Sequence, residues 1–234
     1  MKYYNAGFLI ISYENDLINK NCIIEGLPET ILTISNEVRP TFPDYWFFPW
    51  CNTDENDSSS NIIKSRLKIS RDEHEKAQSF LNTLIQEKKF SWPNVFKSLE
   101  DARFFQQNYL KGIENLEIIS LNLSDEYRTD FLLNELEGNN FEVSIYDFLE
   151  GSLPVSVKNH KILGFDICGY DNNSFYSFIL NRLHEDFDRF DKKLNALSLI
   201  ENYDDAKEII HLIDEKKIEA EEVLWYPWLI LKCK

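Results

Sequence analysis

The sequence predicts an α+β fold, a mixed and largely antiparallel sheet with flanking helices. Three observations lead there. Short β-branched runs cluster near the N-terminus, and capped segments of helical period fill the middle. Strands and helices then mix without strict β-α-β alternation.

The expected elements run as follows. Phe8–Ile11, Cys22–Ile24 and Thr30–Ile34 are strand-like runs separated by Asn, Asp, Gly and Pro. Ser70 and Glu73 form a capping box, each side chain serving the other's free backbone N–H. Ala77, Phe80, Leu81, Leu84 and Ile85 then share one helical face. Ser98 caps a second helix, with Ala102, Phe105, Tyr109 and Leu110 inward. Leu116–Leu123 is a strand. Ser124 opens a helix with Tyr127, Phe131, Leu132 and Leu136 inward, stopped at Gly138. Phe141, Val143 and Ile145 alternate with polar residues, which predicts a half-buried strand. Ile162–Ile167 is another strand, Gly169–Asn173 a turn, and Asn173 the cap of a helix carrying Phe175, Phe178, Ile179 and Leu183. The charged stretch from Glu185 to Lys193 continues helically. Asn202 caps the last helix, with Ala206, Ile209, Ile210 and Ile213 inward. Val223–Leu231 closes the chain as a strand, and Pro227 within it predicts an edge position or a bulge.

Residues 1–50 thus form a strand-rich region and 62–234 an α+β region. The polar, turn-rich stretch 52–61 lies between them as a loop. One compact domain or two closely packed subdomains fit this plan. A chain of 234 residues with 43% hydrophobic and 14% aromatic content fills a real core.

Forty acidic residues oppose 25 basic ones, for a formal charge of -15. Such a surface repels nucleic acid and anionic membranes and speeds encounter with a basic protein. Plain solubility accounts for the same charge. Cys22, Cys51, Cys168 and Cys233 are spread without a CxxC pair, which reads as free thiols in a reduced, cytoplasmic protein. The apolar run Phe8–Ile11 is too short for a signal-peptide core. No stretch approaches the ~18 apolar residues of a membrane span.

Catalytic signatures are missing. The sequence holds no G-x-G-x-x-G, no phosphate-binding G-x-x-x-x-G-K-[ST], no H-E-x-x-H and no G-x-S-x-G, and nothing calls for a cofactor or a metal. His74 beside Asp72, Glu73 and Glu75 reads as a solvated helix residue before it reads as a metal ligand. His184 complements a helix C-terminus, and His211 borders an apolar face. Cys168 is placed at the end of a strand, where a nucleophile could sit; a buried, inert thiol is the plainer reading.

Carboxylates crowd three places. Asp54, Glu55 and Asp57 lie in the polar loop. Glu185, Asp186, Asp188 and Asp191 line one stretch, and Asp204 and Asp205 open the last helix. Between Glu185 and Glu222 acidic residues outnumber basic ones about two to one. The plain reading is a set of solvated faces; the functional one is a patch for Lys and Arg. Trp46, Trp50, Trp225 and Trp228 flank prolines, and they are either interface anchors beside the carboxylates or core residues.

The segments Leu163–Asp171, Ser174–Phe178 and Leu224–Ile230 resemble the C-terminal pattern of bacterial polymorphic-toxin immunity proteins. The likeness is one of packing and brings no contact residue with it. It implies a non-enzymatic cytoplasmic protein that binds and blocks a basic toxin or nuclease domain. A DNA-mimic inhibitor of a DNA-binding defence enzyme, and an enzyme with a carboxylate or Cys168 site, are the alternatives.

Overall fold

The structure, a computed structural model, describes residues 1–13, 27, 30–35, 42, 70–91, 94–134, 143–171, 174–179, 190–218, 220 and 222–233. The fold is α+β. Among these residues eight strands form one sheet in which every pairing is antiparallel. The strands are β1 (Tyr3–Ser12), β2 (Phe90–Ser91), β3 (Val95–Phe96), β4 (Leu116–Ser124), β5 (Pro154–Val155), β6 (Lys161–Asp171), β7 (Ser174–Ser177) and β8 (Trp225–Lys232). Their order is β2-β3-β1-β4-β8-β6-β7, with β5 on β1. The helices are α1 (Arg71–Gln86), α2 (Leu99–Tyr109), α3 (Asp125–Asn134), α4 (Ile145–Glu150) and α5 (Tyr203–Asp214).

Alternation along the strands sends side chains to two faces. Leu9 and Ile11, Ile119 and Leu121, and Tyr226, Trp228 and Ile230 point to one face, under Phe131 of α3 and Phe148 of α4. The other face is shared. Ile10, Phe96 and Ile118 pack with Leu81 of α1 and Phe105 of α2. Phe165, Ile167, Leu229 and Leu231 pack with Ile209 and Ile213 of α5. A strand apolar on both sides reads as a continuous run, which is why Trp225–Leu231 shows no alternation.

Two glycines set the register. Gly7 (φ 125°) and Gly164 (φ 143°) lie in left-handed backbone at the bulges of β1 and β6. A Cβ on Gly164 would stand 2.7 Å from Leu199 Cβ and 2.9 Å from the Ile200 carbonyl. Polar side chains pin the same alignment. Asn5 Nδ2 donates to Asn122 Oδ1 (3.2 Å), and the buried Asn122 Nδ2 donates to the Leu229 carbonyl (3.1 Å), tying β1, β4 and β8 together.

The capping box at Ser70, the caps at Ser98 and Asn202 and the strand from Leu116 are found as the sequence predicts. Several segments differ. Thr30–Ile34 was expected as a strand, yet 30–35 is irregular, buried by its apolar side chains and held by side-chain bonds. Of the predicted strand at 141–145, the described part 143–145 leads into α4 instead: Ser144 and Asp147 form a capping box, and that local bonding outweighs the alternation. Gly169–Asp171 belongs to β6, not a turn. Ser174–Ser177 pairs with it as β7, because alternate burial of Phe175 and Ser177 on the sheet overrides the helical spacing. Pro227 is paired with Ile167 of β6, but β4 pairs with β8 only over Leu229–Lys232. The proline therefore lies where β8 has one partner strand, and its missing N–H costs no ladder bond on the other side. Cys22–Ile24, Gly138 and the loop 52–61 lie outside the described residues. β1, from the N-terminal region, lies between β3 and β4 in the same sheet.

Gly164→Ala is expected to lower the unfolding free energy by about 2 kcal/mol or more, from strain at positive φ plus the clash at Leu199 and Ile200. Urea titration of the variant against the parent chain measures it.

Candidate binding face

Four carboxylates at this face begin as local solutions to a helix end. The first turns of α3 and α5 carry Asp125 and Glu126, and Asp204 and Asp205, where negative charge meets unpaired N–H groups and the positive end of the dipole. Asn202 caps α5 by accepting from the Asp205 N–H (3.0 Å). What the fold adds is to bring the first turns of the two helices into contact.

The contact between them runs through Tyr203. Its hydroxyl lies 3.0 Å from Ser124 Oγ and donates to Glu126 Oε2 at 3.3 Å. Lys207 donates to the same carboxylate at 3.1 Å and stands 5.6 Å from the centre of the Tyr203 ring. Tyr127 and Tyr3 pack edge-on to Tyr203, each with centroids 6.4 Å away. Burial, with Tyr203 and Asp125 nearby, pushes the Tyr3 phenol up to about 12. Further along, burial and the neighbouring Asp130 raise the Asp214 carboxyl. Asp125, Glu126, Asp130, Asp204, Glu208 and Asp214 are all exposed on this pair of helices.

The predicted site residues divide. Asp204 is exposed here, and Asp191 is exposed in the short 3₁₀ turn Asp191–Lys193 leading towards α5. Asp205 is committed inside the fold: it accepts from Lys193, which also reaches Glu208 (2.7 Å), and from Asn202 Nδ2 (2.5 Å). The ammonium of Lys193 holds the Asp205 carboxyl below the usual carboxylate range. Asp54, Glu55, Asp57, Glu185, Asp186, Asp188, Trp46 and Trp50 lie outside the described residues.

The tryptophan expectation is corrected at both described positions. Trp228 is 0% exposed, its Nε1–H donates to the Cys168 carbonyl (3.3 Å), and its ring meets Phe131 and Phe175 edge-on. Trp225 is 4% exposed against Phe178. Both are core residues because β8 is covered on both faces, so neither reaches a partner.

Two histidines depart from the expectation, while Cys168 keeps the plainer, buried reading. His74 is buried rather than solvated, and His211 is exposed beside Glu215 (3.3 Å) rather than part-buried. Cys168 lies inside β6, fully buried, and burial lifts its thiol well above the ordinary range, which leaves it inert as a nucleophile. Among the described residues no three His, Cys, Asp or Glu side chains form a metal-binding group, and no helix is long and apolar enough to cross a membrane.

Sequence reasoning found α3 as a helix but did not name its carboxylates as part of this face. Asp125, Glu126 and Asp130 sit some 80 residues from α5 in the chain, and only the sheet order brings them together. Ser124 followed by Asp125 and Glu126 is legible as a helix start, but nothing local says which helix lies beside it.

No family model, no curated protein and no solved structure matches this chain.

Two outcomes test the role given to the α5 cap. Asn202→Ala is expected to cost about 1 kcal/mol in chemical denaturation. The Lys193–Asp205 contribution is fully present above the ordinary aspartate range and is lost as pH falls through the depressed Asp205 value. Asp205→Asn should flatten the acid limb of the stability–pH curve, measured by urea midpoints at successive pH values.

Proposed function

We propose that this chain is a non-enzymatic acidic binding protein that neutralises a basic protein domain, as an immunity protein does its toxin, and that α3 and α5 present the binding face. One observation carries the reading: exposed carboxylates from two distant parts of the chain converge on one pair of helices, around half-buried tyrosines. Such a face offers charge to a Lys- or Arg-rich surface and, in Tyr127 and Tyr203, amphipathic rings at its centre.

The formal charge of -15 supports the same reading at longer range. At about 0.1 M salt the screening length is roughly 10 Å, so approach is steered by the whole face rather than by single pairs. The three strands that carry the resemblance to immunity proteins are neighbours in the sheet, in the order β8-β6-β7. They make the scaffold on which α5 rests, consistent with a packing likeness that carries no contact residues. Cytoplasmic residence and a protein toxin as partner belong to this proposal.

The test is association with the protein encoded beside this gene, followed by stopped flow and by protection of cells expressing it. The association rate is expected to fall about tenfold or more between low and high salt. A variant with Asp130, Asp191 and Asp204 each changed to Lys should associate at least about tenfold more slowly while it stays folded, losing about 1 kcal/mol at the first turn of α5, since all three are exposed. No binding and no protection would remove the proposal, and unchanged kinetics in the triple variant would remove the assigned face.

A further inference from the structure

Among the described residues Asp166 is the one carboxyl buried in the sheet, and its surroundings differ from those of the acidic surface. Asp166, in the middle of β6, is 1% exposed. Its Oδ2 accepts from Thr33 Oγ1 (2.7 Å) and from the Ile34 N–H (2.8 Å). Its Oδ1 accepts from Ser177 Oγ of β7 at 3.4 Å, and the Cys168 thiol bonds to the same carboxyl. These partners are neutral donors, and among the described residues no ion pair includes Asp166.

Both strap donors belong to residues 30–35, which cross the sheet face without joining a ladder. Ile31, Leu32 and Ile34 are buried beneath this strap. It is further tied by the Leu32 N–H on the Leu197 carbonyl (2.9 Å) and by Ser198 Oγ on the Thr30 carbonyl (3.2 Å). The sheet itself is bonded to the strap through Asp166.

We propose that Asp166 is a proton-operated latch, which fastens the strap of residues 30–35 to the sheet while neutral and releases it on ionising. The geometry places the proton. Oδ2 is occupied by two donors that have no other role towards the carboxyl, so the acid hydrogen sits on Oδ1, where the Ser177 hydroxyl can turn and accept it. Loss of that proton to solvent leaves a negative charge in an apolar interior, with no cation beside it among the described residues. The hydrogen bonds from Thr33 and Ile34 do not offset that desolvation; lifting the strap to admit water does.

Among the described residues, the titratable groups buried on this face of the sheet are Cys168, Tyr170 and Tyr226, with Tyr4, Tyr13, Tyr127 and Tyr146 packed at its margin. Burial raises the Asp166 carboxyl, and raises the Cys168 thiol further. A carboxyl whose folded value is raised is fully stabilising below the unfolded value. It loses that contribution as pH rises through the folded one. The strap is therefore tight in acid and opens towards higher pH, opposite to the Lys193–Asp205 pair.

Hydrogen exchange of the Ile34 amide from about pH 4 to about pH 9, corrected for intrinsic rates, tests this in the parent chain and in Asp166→Asn, which keeps the shape and cannot ionise. Ile34 protection should fall about tenfold per pH unit above the folded value, while Ile230 in β8 stays protected and the variant shows no such slope. In the parent chain the infrared band of a protonated carboxyl should disappear over the same interval, which keeps the test open if the variant does not fold. Constant protection at Ile34, an equal slope in the variant, loss of Ile230 protection in step, or an ionised Asp166 throughout would each overturn the latch.

Discussion

β8 reaches the sheet last in the chain and lies between β4 on one side and β6 on the other. Through β4 it joins β1, β2, β3 and β5, and through β6 it joins β7. Both its faces are buried, with Tyr226, Trp228 and Ile230 towards α3 and α4, and Trp225, Leu229 and Leu231 towards α5. Its side chains are therefore shared between two core clusters, and removing any large one opens a cavity that neither cluster can close alone. The amides of Asn5 and Asn122 fix its alignment, since a one-residue slip would exchange the two faces. The α5 face and the Asp166 latch both depend on β6, which β8 holds in place.

Much of this plan is legible in the residues. The caps at Ser70, Ser98 and Asn202 name their helices because capping is local chemistry, and β4 shows as an apolar run. Apart from the segment before α4, where a local capping box prevails, the departures share one cause. Ser174–Ser177 has helical spacing on paper, but pairing with Gly169–Asp171 fixes alternate burial. Thr30–Ile34 is β-branched, and its backbone is nevertheless satisfied by Leu197 and Asp166, both far away in sequence. Pro227 reads as an edge signal, and it is one only because β4 stops pairing at Leu229. In each case a non-local partner decided what local pattern could not.

The same holds for the functional face. Asp204 is legible as an exposed first-turn carboxylate, whereas Asp205 looks identical in sequence and is taken up by Lys193 and Asn202. Trp225 and Trp228 carry the composition of an interface, and the two-sided cover of β8 makes them interior. Their place at the surface is filled by tyrosines. Tyr127 and Tyr203 are common residues in sequence, and they become the centre of a face only when α3 and α5 meet. Where charged and aromatic side chains meet on the surface thus followed from sheet order.

Native-state hydrogen exchange under increasing denaturant measures most directly whether β8 joins the sheet into one cooperative body. The amides of Ile119, Ile167 and Ile230 should exchange with one common free energy, equal to that of global unfolding. If Ile167 exchanged at a markedly lower free energy than Ile119, the two sides of the sheet would open separately, and β8 would not be the element on which the structure depends.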